Sequence, residues 1–239
     1  MNKVGGIYYT DSRLDPKIWK VCLEQLKRVF DENKIVSVSL EPMSLGRNIV
    51  LKNRVRSYPT MTEQILTALE ASDADYVFFL EHDILYSPTH FLFEPPRSDI
   101  YYYNIQNWRW RWGTDVVVTY DELHSLSGLC CNRELALNHY KLRMKHIEAM
   151  GLEAHRFREP RWVRRWGYEP GTKPKRRGGI TDETFETWRS EYPNIDIRHK
   201  GTFSHPKTFL SEFKHLPTSW VESTIDEMPG WNLRKMFNL

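Results

Sequence analysis

The chain reads Tyr76-Val77-Phe78-Phe79-Leu80-Glu81-His82-Asp83 near the end of its first third, where an apolar run leads directly into two carboxylates. A continuous run rich in Val and Phe predicts a strand buried on both faces, as in a parallel sheet covered by helices. Open α/β sheets bind their ligands at the carboxyl ends of such strands. Because side chains at i and i+2 share a face, we expect Glu81 and Asp83 to converge while His82 points away.

Two hard oxygen ligands in one place suit Mg²⁺ or Mn²⁺, and these ions in turn suit a diphosphate. An isolated Glu-x-Asp is equally typical of a solvated strand end with no ligand at all. The interpretation of the motif therefore depends on the elements around it.

The composition is that of a soluble globular protein: 239 residues, of which 40% are hydrophobic and 27% charged. This length predicts one α/β domain with a full core. The sequence has no apolar run long enough to span a membrane and no signal-peptide pattern, so we expect a cytoplasmic protein. Its three cysteines form neither a disulfide framework nor a metal-spacing motif, and they predict small buried residues in a reducing compartment.

The net charge of +3 is unevenly distributed along the chain. Residues 155–177 contain nine Lys/Arg and two Glu, a local net charge of +7, which leaves 25 basic and 29 acidic residues, a net of −4, for the rest. One basic segment on a mildly acidic body indicates an anionic partner at that place.

The first half of the chain alternates between strand and helix patterns. Strands are predicted at 4–9, 35–40 and 76–80, and helices at 16–33 and 59–72. Residues 46–56 are predicted to form a polar loop. This order is typical of a parallel α/β sheet, and right-handed crossovers place the loop after the first strand beside Glu81 and Asp83.

The second half is less regular. Strands are predicted at 101–105, 116–120, 125–128 and 195–198, and helices at 133–150 and 182–190, the former capped by Asn132. Between the first two strands, Trp108, Trp110 and Trp112 either form a stacking platform or cover the core face of a strand whose Arg109 and Arg111 face out. The strand interpretation is the simpler one. An irregular second half is expected to bind the second substrate.

These features resemble the GT-A glycosyltransferases, whose Rossmann-like mixed α/β sheet, flanked by helices, binds a nucleotide sugar and carries a D-x-D-type motif. Glu81-His82-Asp83 takes the place of that motif, with Glu in place of the first Asp. The pattern Tyr58-Pro59-Thr60 with Gln64-Ile65-Leu66, the stretch 193–199 and Pro229-Gly230-Trp231 are similar to small glycosyltransferase-like proteins of phages and bacteria. The resemblance covers residues 5–231 and implies one domain over 1–239. It would comprise a nucleotide-sugar half at 1–105 and an acceptor half at 106–239, which contains the basic loop 155–178.

The resemblance also implies a set of donor-binding and metal-binding residues. Asp83 corresponds to the metal-binding acid and Glu81 to a residue that contacts sugar or metal, and a late histidine, His199 or else His205, completes the metal shell. The residues expected to bind the nucleotide sugar, most simply a UDP-sugar, are Thr10, Asp11, Arg54, Glu81, His82 and Asp83. Asp11 also fits ordinary turn chemistry, and either histidine also fits a surface residue.

An inverting transfer needs a carboxylate that takes the proton of the acceptor hydroxyl. Asp182 and Glu183 resemble the acidic motif that supplies this base in inverting relatives, although they equally fit the cap and first turn of a helix. Asp121 and Glu122 are the alternative candidates. The sequence leaves open whether the transfer is inverting or retaining.

The basic segment suggests what accepts the sugar. Its cations include Arg161, Arg164, Arg165, Lys175, Arg176 and Arg177, and Phe157, Trp162, Trp166 and Tyr168 lie among them. Arginines pair with phosphates and aromatic rings stack on bases or sugars, so this segment predicts contact with nucleic acid. A loop that folds over the donor's diphosphate would also have this composition.

Two acceptor classes and one non-enzymatic function fit these observations. The first acceptor is phage DNA that carries a 5-hydroxymethylpyrimidine, flipped out towards the donor. The second is a glycan or lipid-linked sugar of a cell envelope. In the non-enzymatic alternative, the chain is a nucleic-acid-binding module that binds neither a divalent metal nor a nucleotide diphosphate.

Overall fold

The computed structural model describes residues 2–120, 123–149, 169–172, 184–202 and 207–239. Its main feature is a mixed seven-stranded sheet that is flanked by helices. This confirms the predicted fold class, a Rossmann-like mixed α/β sheet. A second, smaller sheet of five strands is built from the part of the chain that follows residue 83.

The first half builds the parallel part of the main sheet. Its elements are β1 (Val4–Thr10), α1 (Pro16–Val29), β2 (Ile35–Ser39), β3 (Arg47–Val50), α2 (Tyr58–Ala71) and β4 (Tyr76–Glu81). β1 lies between β2 and β4 and is parallel to both, and β3 extends the sheet beyond β2. Part of the predicted polar loop is thus a strand, because residues 47–50 find their hydrogen-bond partners on β2.

The two helices of this half begin within one residue of their predicted starts. The Asp15 side chain accepts hydrogen bonds from the backbone of Lys17 and Ile18 at the start of α1. Ser57 caps α2 through Thr60. The first helix ends at Val29 rather than at residue 33, and a short 3-10 helix, Glu32–Lys34, leads into β2.

The second half adds strands to both sheets. Its elements are β5 (Ile84–Leu85), β6 (Tyr101–Asn104), β7 (Asn107–Arg111), β8 (Val116–Thr119), β9 (Leu129–Asn132), α3 (Arg133–Ala149), β10 (Phe185–Trp188), β11 (Asn194–Arg198), β12 (Val221–Thr224) and α4 (Leu233–Phe237). The main sheet has the order β10-β6-β9-β4-β1-β2-β3, and β9 is antiparallel to β4 and β6. The second sheet has the order β12-β8-β7-β11-β5.

Two predictions in this half are wrong. Residues 185–188 form the edge strand β10 instead of the helix predicted at 182–190, because they pair in parallel with β6. The predicted strand at 125–128 is a 3-10 helix, Leu126–Gly128, that leads into β9. The Asn132 cap is confirmed, since its side chain accepts hydrogen bonds from the backbone of Glu134 and Leu135.

The tryptophan run is a strand with one apolar face, as predicted. Trp108, Trp110 and Trp112 pack in a cluster with Ile195 and Ile197 of β11 and with α1 and α4, and Trp110 is fully buried. The prediction that Arg109 faces out is wrong. Its side chain is 18% exposed and lies 3.7 Å from the carboxylate of Asp196.

The three free cysteines, Cys22, Cys130 and Cys131, are all buried. Within the described part of the chain, no helix has the length and apolar character needed to cross a membrane.

The helix α2 is held on the sheet by apolar packing, and this packing is testable. Leu69 is fully buried in the cluster that α2 and α3 form with the main sheet. We expect Leu69→Ala to lower the free energy of unfolding by about 2–5 kcal/mol, because it removes buried methyl groups and leaves a cavity. Urea unfolding measures this loss. The same substitution at Leu92, which is 75% exposed, should stay within about 0.5 kcal/mol of the unmodified protein. Equal losses at the two positions would contradict the packing described here.

Candidate functional site

A pocket of about 660 Å³, including its open mouth, lies at the carboxyl ends of β1, β2 and β4. The start of α2 and the end of β11 complete its walls. It is lined by Tyr9, Thr10, Asp11, Leu40, Arg56, Ser57, Thr60, Met61, Gln64, Glu81, His82, Asp83, Arg198 and Thr202. This is the sheet edge at which the sequence predicts the donor site, and it brings together residues that are far apart in the chain.

Three potential metal ligands meet in this pocket. One ligand atom each from His82, Asp83 and His199 lies within 4.8 Å of the other two. The Nε2 atom of His199 is 3.3 Å from Oδ2 of Asp83, and Asp83 is only 7% exposed. Of the predicted metal ligands, Asp83 and His199 are therefore together.

The strand β11 brings His199 to this place. β11 pairs with β5, which follows Asp83 directly, and the backbone N–H of Ile197 donates to the carbonyl of Asp83 at 2.9 Å. His199 follows the end of β11 in a turn, where its Nδ1 accepts the N–H of Gly201 and its own N–H donates to Thr202. The ring of His199 is consequently fixed beside Asp83.

Glu81 lies outside this cluster, contrary to the expectation that it converges with Asp83 while His82 points away. Strand β4 ends at Glu81, and His82 and Asp83 form a turn, so the alternation of a strand does not extend to them. The Oε1 atom of Glu81 instead accepts the hydroxyl hydrogen of Tyr9 at 2.7 Å, and its backbone N–H donates to the hydroxyl of Tyr86 at 2.8 Å.

The two carboxyl groups differ in their pKa. Burial, and next the charge of Asp83, raises the pKa of Glu81 to about 8 in spite of the hydrogen bond from Tyr9. Burial also acts to raise the pKa of Asp83, but the imidazole of His199, 3.3 Å away, and the positive charges of its other neighbours outweigh it and hold that pKa below its ordinary value. In the metal-free protein, Asp83 is thus the ionised member of the pair at neutral pH.

Thr10 and Asp11, both predicted to bind the nucleotide sugar, contact His82 from the end of β1. Nδ1 of His82 lies 2.5 Å from Oγ1 of Thr10 and 3.9 Å from Oδ1 of Asp11. Nε of Arg56 pairs with Oδ2 of Asp11 at 2.6 Å, and Arg56 also donates to the carbonyl of Gly201. The contacts with Thr10 and Asp11 hold the ring of His82 against the end of β1. Arg56 joins the end of β1 to the turn that follows β11, through Asp11 and Gly201.

Arg54 is placed away from the pocket. It pairs with Glu63 on the exposed side of α2, at 2.7 and 2.8 Å. Arg56, two residues later, lines the pocket instead. The sequence pattern of a polar loop does not reveal which of these two arginines turns inward.

The donor set of the cluster fits a divalent transition metal. His199 Nε2 is a buried nitrogen without a hydrogen-bond partner among the described residues, and it points at the carboxylate of Asp83. Two imidazoles and one carboxylate suit Mn²⁺ better than Mg²⁺, which prefers oxygen ligands alone. Asp83, His82 and His199 would hold the ion.

Several predicted site residues lie outside the described residues. They are the candidate bases Asp121, Glu122, Asp182 and Glu183, the second histidine His205, and the cations Arg161, Arg164, Arg165, Lys175, Arg176 and Arg177.

Arg198 and Gln64 line the pocket although the sequence analysis does not predict them as site residues. Gln64 donates to the carbonyls of Thr10 and Val38 and so joins α2 to the ends of β1 and β2. A signal for Arg198 was present in the sequence, since it immediately precedes His199 at the end of a predicted strand.

No family model matches the sequence, and neither does any curated protein. The chain is similar in fold to the bifunctional IspDF of Campylobacter jejuni, with a TM-score of 0.34 and 12% identity over 62% of this chain and 47% of that protein. It is also similar to the apo-form glycosyltransferase GlyE of Streptococcus pneumoniae TIGR4, with a TM-score of 0.38 and 11% identity over 66% of this chain and 40% of GlyE.

A third similar structure is a glycosyltransferase involved in the glycosylation of the major capsid of PBCV-1, with a TM-score of 0.46 and 9% identity over 84% of this chain and 94% of that one. The chain spans less than half of the length of IspDF and of GlyE. Likenesses of this degree concern the course of the backbone, and they establish neither a family nor an activity.

The raised pKa of Glu81 predicts how stability depends on pH. Its pKa is about 8 in the folded protein against an ordinary value of 4.5, so the folded state holds a proton that the unfolded chain releases between these values. The stabilisation is complete below pH 4.5 and is lost as the pH rises through 8. Relative to Glu81→Gln, we expect the unmodified protein to lose up to about 1.4 kcal/mol per pH unit across this window.

Urea unfolding at a series of pH values, with EDTA present to exclude metal ions, measures this difference. Glu70→Gln is a matched control on the exposed face of α2 and should leave the pH dependence as it is in the unmodified protein. Parallel pH profiles for the unmodified protein and Glu81→Gln would show that Glu81 is not held protonated.

Proposed function

We propose that this protein is a metal-dependent glycosyltransferase that moves a sugar from a nucleotide diphosphate sugar to a hydroxyl acceptor. The observation that carries this proposal is the cluster of His82, Asp83 and His199 at the carboxyl end of β4, within a pocket that also opens on the ends of β1 and β2. A metal at this sheet edge lies where α/β folds bind nucleotides. Two imidazoles and one carboxylate bind several divalent transition metals, of which Mn²⁺ is the one we propose.

The charges around the pocket support the binding of metal and diphosphate together. Among the described residues, three carboxylates adjoin three guanidinium groups: Asp11, Asp83 and Asp196 with Arg56, Arg109 and Arg198. These charges cancel, and Glu81 is protonated at neutral pH. A divalent cation alone would leave a buried excess of positive charge, which is costly. The diphosphate of a sugar nucleotide, with one negative charge on each phosphate, compensates the cation.

In this function each residue has a defined task. Asp83, His82 and His199 would hold the metal, which would supply Lewis-acid neutralisation of the leaving diphosphate. Thr10 and Asp11 orient the ribose and base from the end of β1, and Arg56 fixes Asp11. The bond from the anomeric carbon to phosphate oxygen breaks as the bond to the acceptor oxygen forms. For an inverting transfer, the acceptor's proton passes to a carboxylate, for which Asp182, Glu183 and Glu122 are the proposed groups.

For the acceptor, we propose DNA that carries a 5-hydroxymethylpyrimidine, as in a phage. The support is the basic segment 155–177, with nine cations interleaved with aromatic residues. Cations of this density neutralise phosphates, and aromatic residues stack on exposed bases. The alternative acceptor is a cell-envelope glycan or lipid-linked sugar, whose anionic groups would meet the same cations. If the protein were only a nucleic-acid-binding module, the cluster of His82, Asp83 and His199 in the pocket would have no function.

The donor site predicts metal-dependent nucleotide binding. We expect UDP to bind in the presence of Mn²⁺ and to lose most of its affinity when EDTA is added, because the diphosphate is bound through the ion. Asp83→Asn should weaken Mn²⁺-dependent binding by about 100-fold or more, since changes in the shell outside the metal ligands alone cost about 10–100-fold. Isothermal titration calorimetry measures both effects.

Asp99→Asn provides the control, because Asp99 is exposed and pairs with Arg97 on the surface. It should bind UDP with unchanged affinity. If neither EDTA nor Asp83→Asn changes the affinity for UDP, the proposed metal site is ruled out.

The proposed acceptor predicts transfer to DNA that depends on salt. Purified protein is incubated with a panel of nucleotide sugars and Mn²⁺, with hydroxymethylated duplex DNA and simple glycans as acceptors. We expect sugar to be incorporated into the hydroxymethylated DNA, and we expect DNA affinity to fall steeply as salt rises, because phosphate contacts release counterions. Charge reversal at Arg164 and Arg165 should weaken binding across all sequences and reduce the salt slope by about 1 for each lost contact.

Charge reversal at Lys17 and Lys20, on the exposed side of α1, changes the net charge equally and should leave the salt slope as it was. Transfer to a glycan, together with salt-insensitive DNA binding, would assign the envelope acceptor instead.

A further inference from the structure

A triad of buried charges adjoins the pocket on the second sheet. Nη1 of Arg198 donates to both carboxylate oxygens of Asp196, at 3.1 and 3.3 Å. The Oδ2 atom of the same carboxylate also lies 3.7 Å from Nε of Arg109. Asp196 and Arg198 are only 4% and 8% exposed. The triad therefore carries one net positive charge with little water around it.

The register of the strands explains this arrangement. Asp196 of β11 lies opposite Arg109 of β7. Asp196 and Arg198 share a face of β11 because they are two positions apart. The opposite face carries Ile195 and Ile197, which pack against the tryptophans. One side of this sheet thus serves the core, and the other presents fixed charges.

Arg198 is the member of the triad that reaches the pocket, where it lies among the lining residues with His82 and Asp83. It is adjacent in sequence to His199, and its charge helps to lower the pKa of Asp83. The hydrogen bond from Ile197 to the Asp83 carbonyl joins β11 to the turn that carries Asp83. The same strand, β11, therefore positions the guanidinium group of Arg198 and brings His199 to the other two candidate metal ligands.

We infer that Arg198 contacts the terminal phosphate of the donor's diphosphate and makes the pocket select a diphosphate over a monophosphate. This inference rests on the proposed function. Asp196 is the positioning residue, since it orients the guanidinium through both of its oxygens. An arginine suits this task because its planar group keeps its charge and presents several donors in fixed directions. Arg109 offsets the charge of Asp196, so that Arg198 retains its attraction for an anion.

The test compares three probes, UDP, UMP and uridine, titrated in the presence of Mn²⁺. We expect the unmodified protein to bind UDP more tightly than UMP. Arg198→Gln should weaken UDP binding by about 10–100-fold, because hydrogen bonds between charged groups are among the strongest in proteins. The same substitution should change UMP binding by less than about threefold, since UMP lacks the terminal phosphate. Arg198→Lys should lie between the two, because it keeps the charge and loses the planar geometry.

Arg198→Gln removes the two hydrogen bonds from Arg198 to Asp196, so the thermal stability of this variant is measured alongside binding. The double variant Asp196→Asn with Arg198→Gln replaces the pair by two neutral amides and should also lose the preference for UDP. Arg97→Gln, at an exposed surface pair, is the matched control and should bind all three probes as the unmodified protein does.

The outcomes separate this inference from the function on which it rests. If the unmodified protein does not bind UDP with Mn²⁺, both are overturned. If it does, and Arg198→Gln and the double variant keep the original ratio of UDP to UMP affinity, only the assignment of Arg198 is overturned. An equal loss for UDP and UMP has the same meaning, since it would reflect a general disturbance of the pocket.

Discussion

The hydrogen bond from the N–H of Ile197 to the carbonyl of Asp83 joins the two sheets at the point on which the site depends. β4 of the main sheet ends in a turn, and β5, which follows it, pairs with β11 of the second sheet. This connection places His199 beside Asp83 and directs Arg198 into the same pocket. Residues more than 100 positions apart thereby become one cluster, whose geometry is set by backbone pairing rather than by flexible side chains.

Local patterns predict those parts of the fold that local interactions decide. The caps at Asp15, Ser57 and Asn132 are local, and the three helix starts predicted from the sequence lie within one residue of those in the structure. Strand β10 depends instead on a partner more than 80 residues away, since Phe185 pairs with Tyr101, and its composition alone fitted a helix. The residues 47–50 likewise became a strand only because β2 has an open edge.

The candidate site shows the same division. The sequence predicts Asp83 as a metal ligand because an acid at the carboxyl end of a buried strand indicates a ligand site, wherever that strand lies in the sheet. The sequence predicts that His82 contacts the nucleotide sugar and not the metal, because the prediction applies the alternation of a strand to residues 81–83. The strand ends at Glu81, and the turn that follows changes the direction in which His82 and Asp83 face. Arg56 and Arg54 are indistinguishable in a loop pattern, whereas in the structure Asp11 draws one of them inward and Glu63 holds the other at the surface.

The charges on the second sheet are poorly explained by stability alone. A buried ion pair gains little over well-packed apolar residues, because the desolvation of both charges offsets their attraction. The apolar face of the same sheet already supplies packing through Trp110, Ile195 and Ile197, all fully buried. The burial of Asp196 and Arg198 therefore costs desolvation free energy in a sheet whose apolar core lies on its other face. Such a cost is reasonable where fixed charges must meet a ligand, because groups oriented in advance need no reorganisation when the ligand's charge arrives.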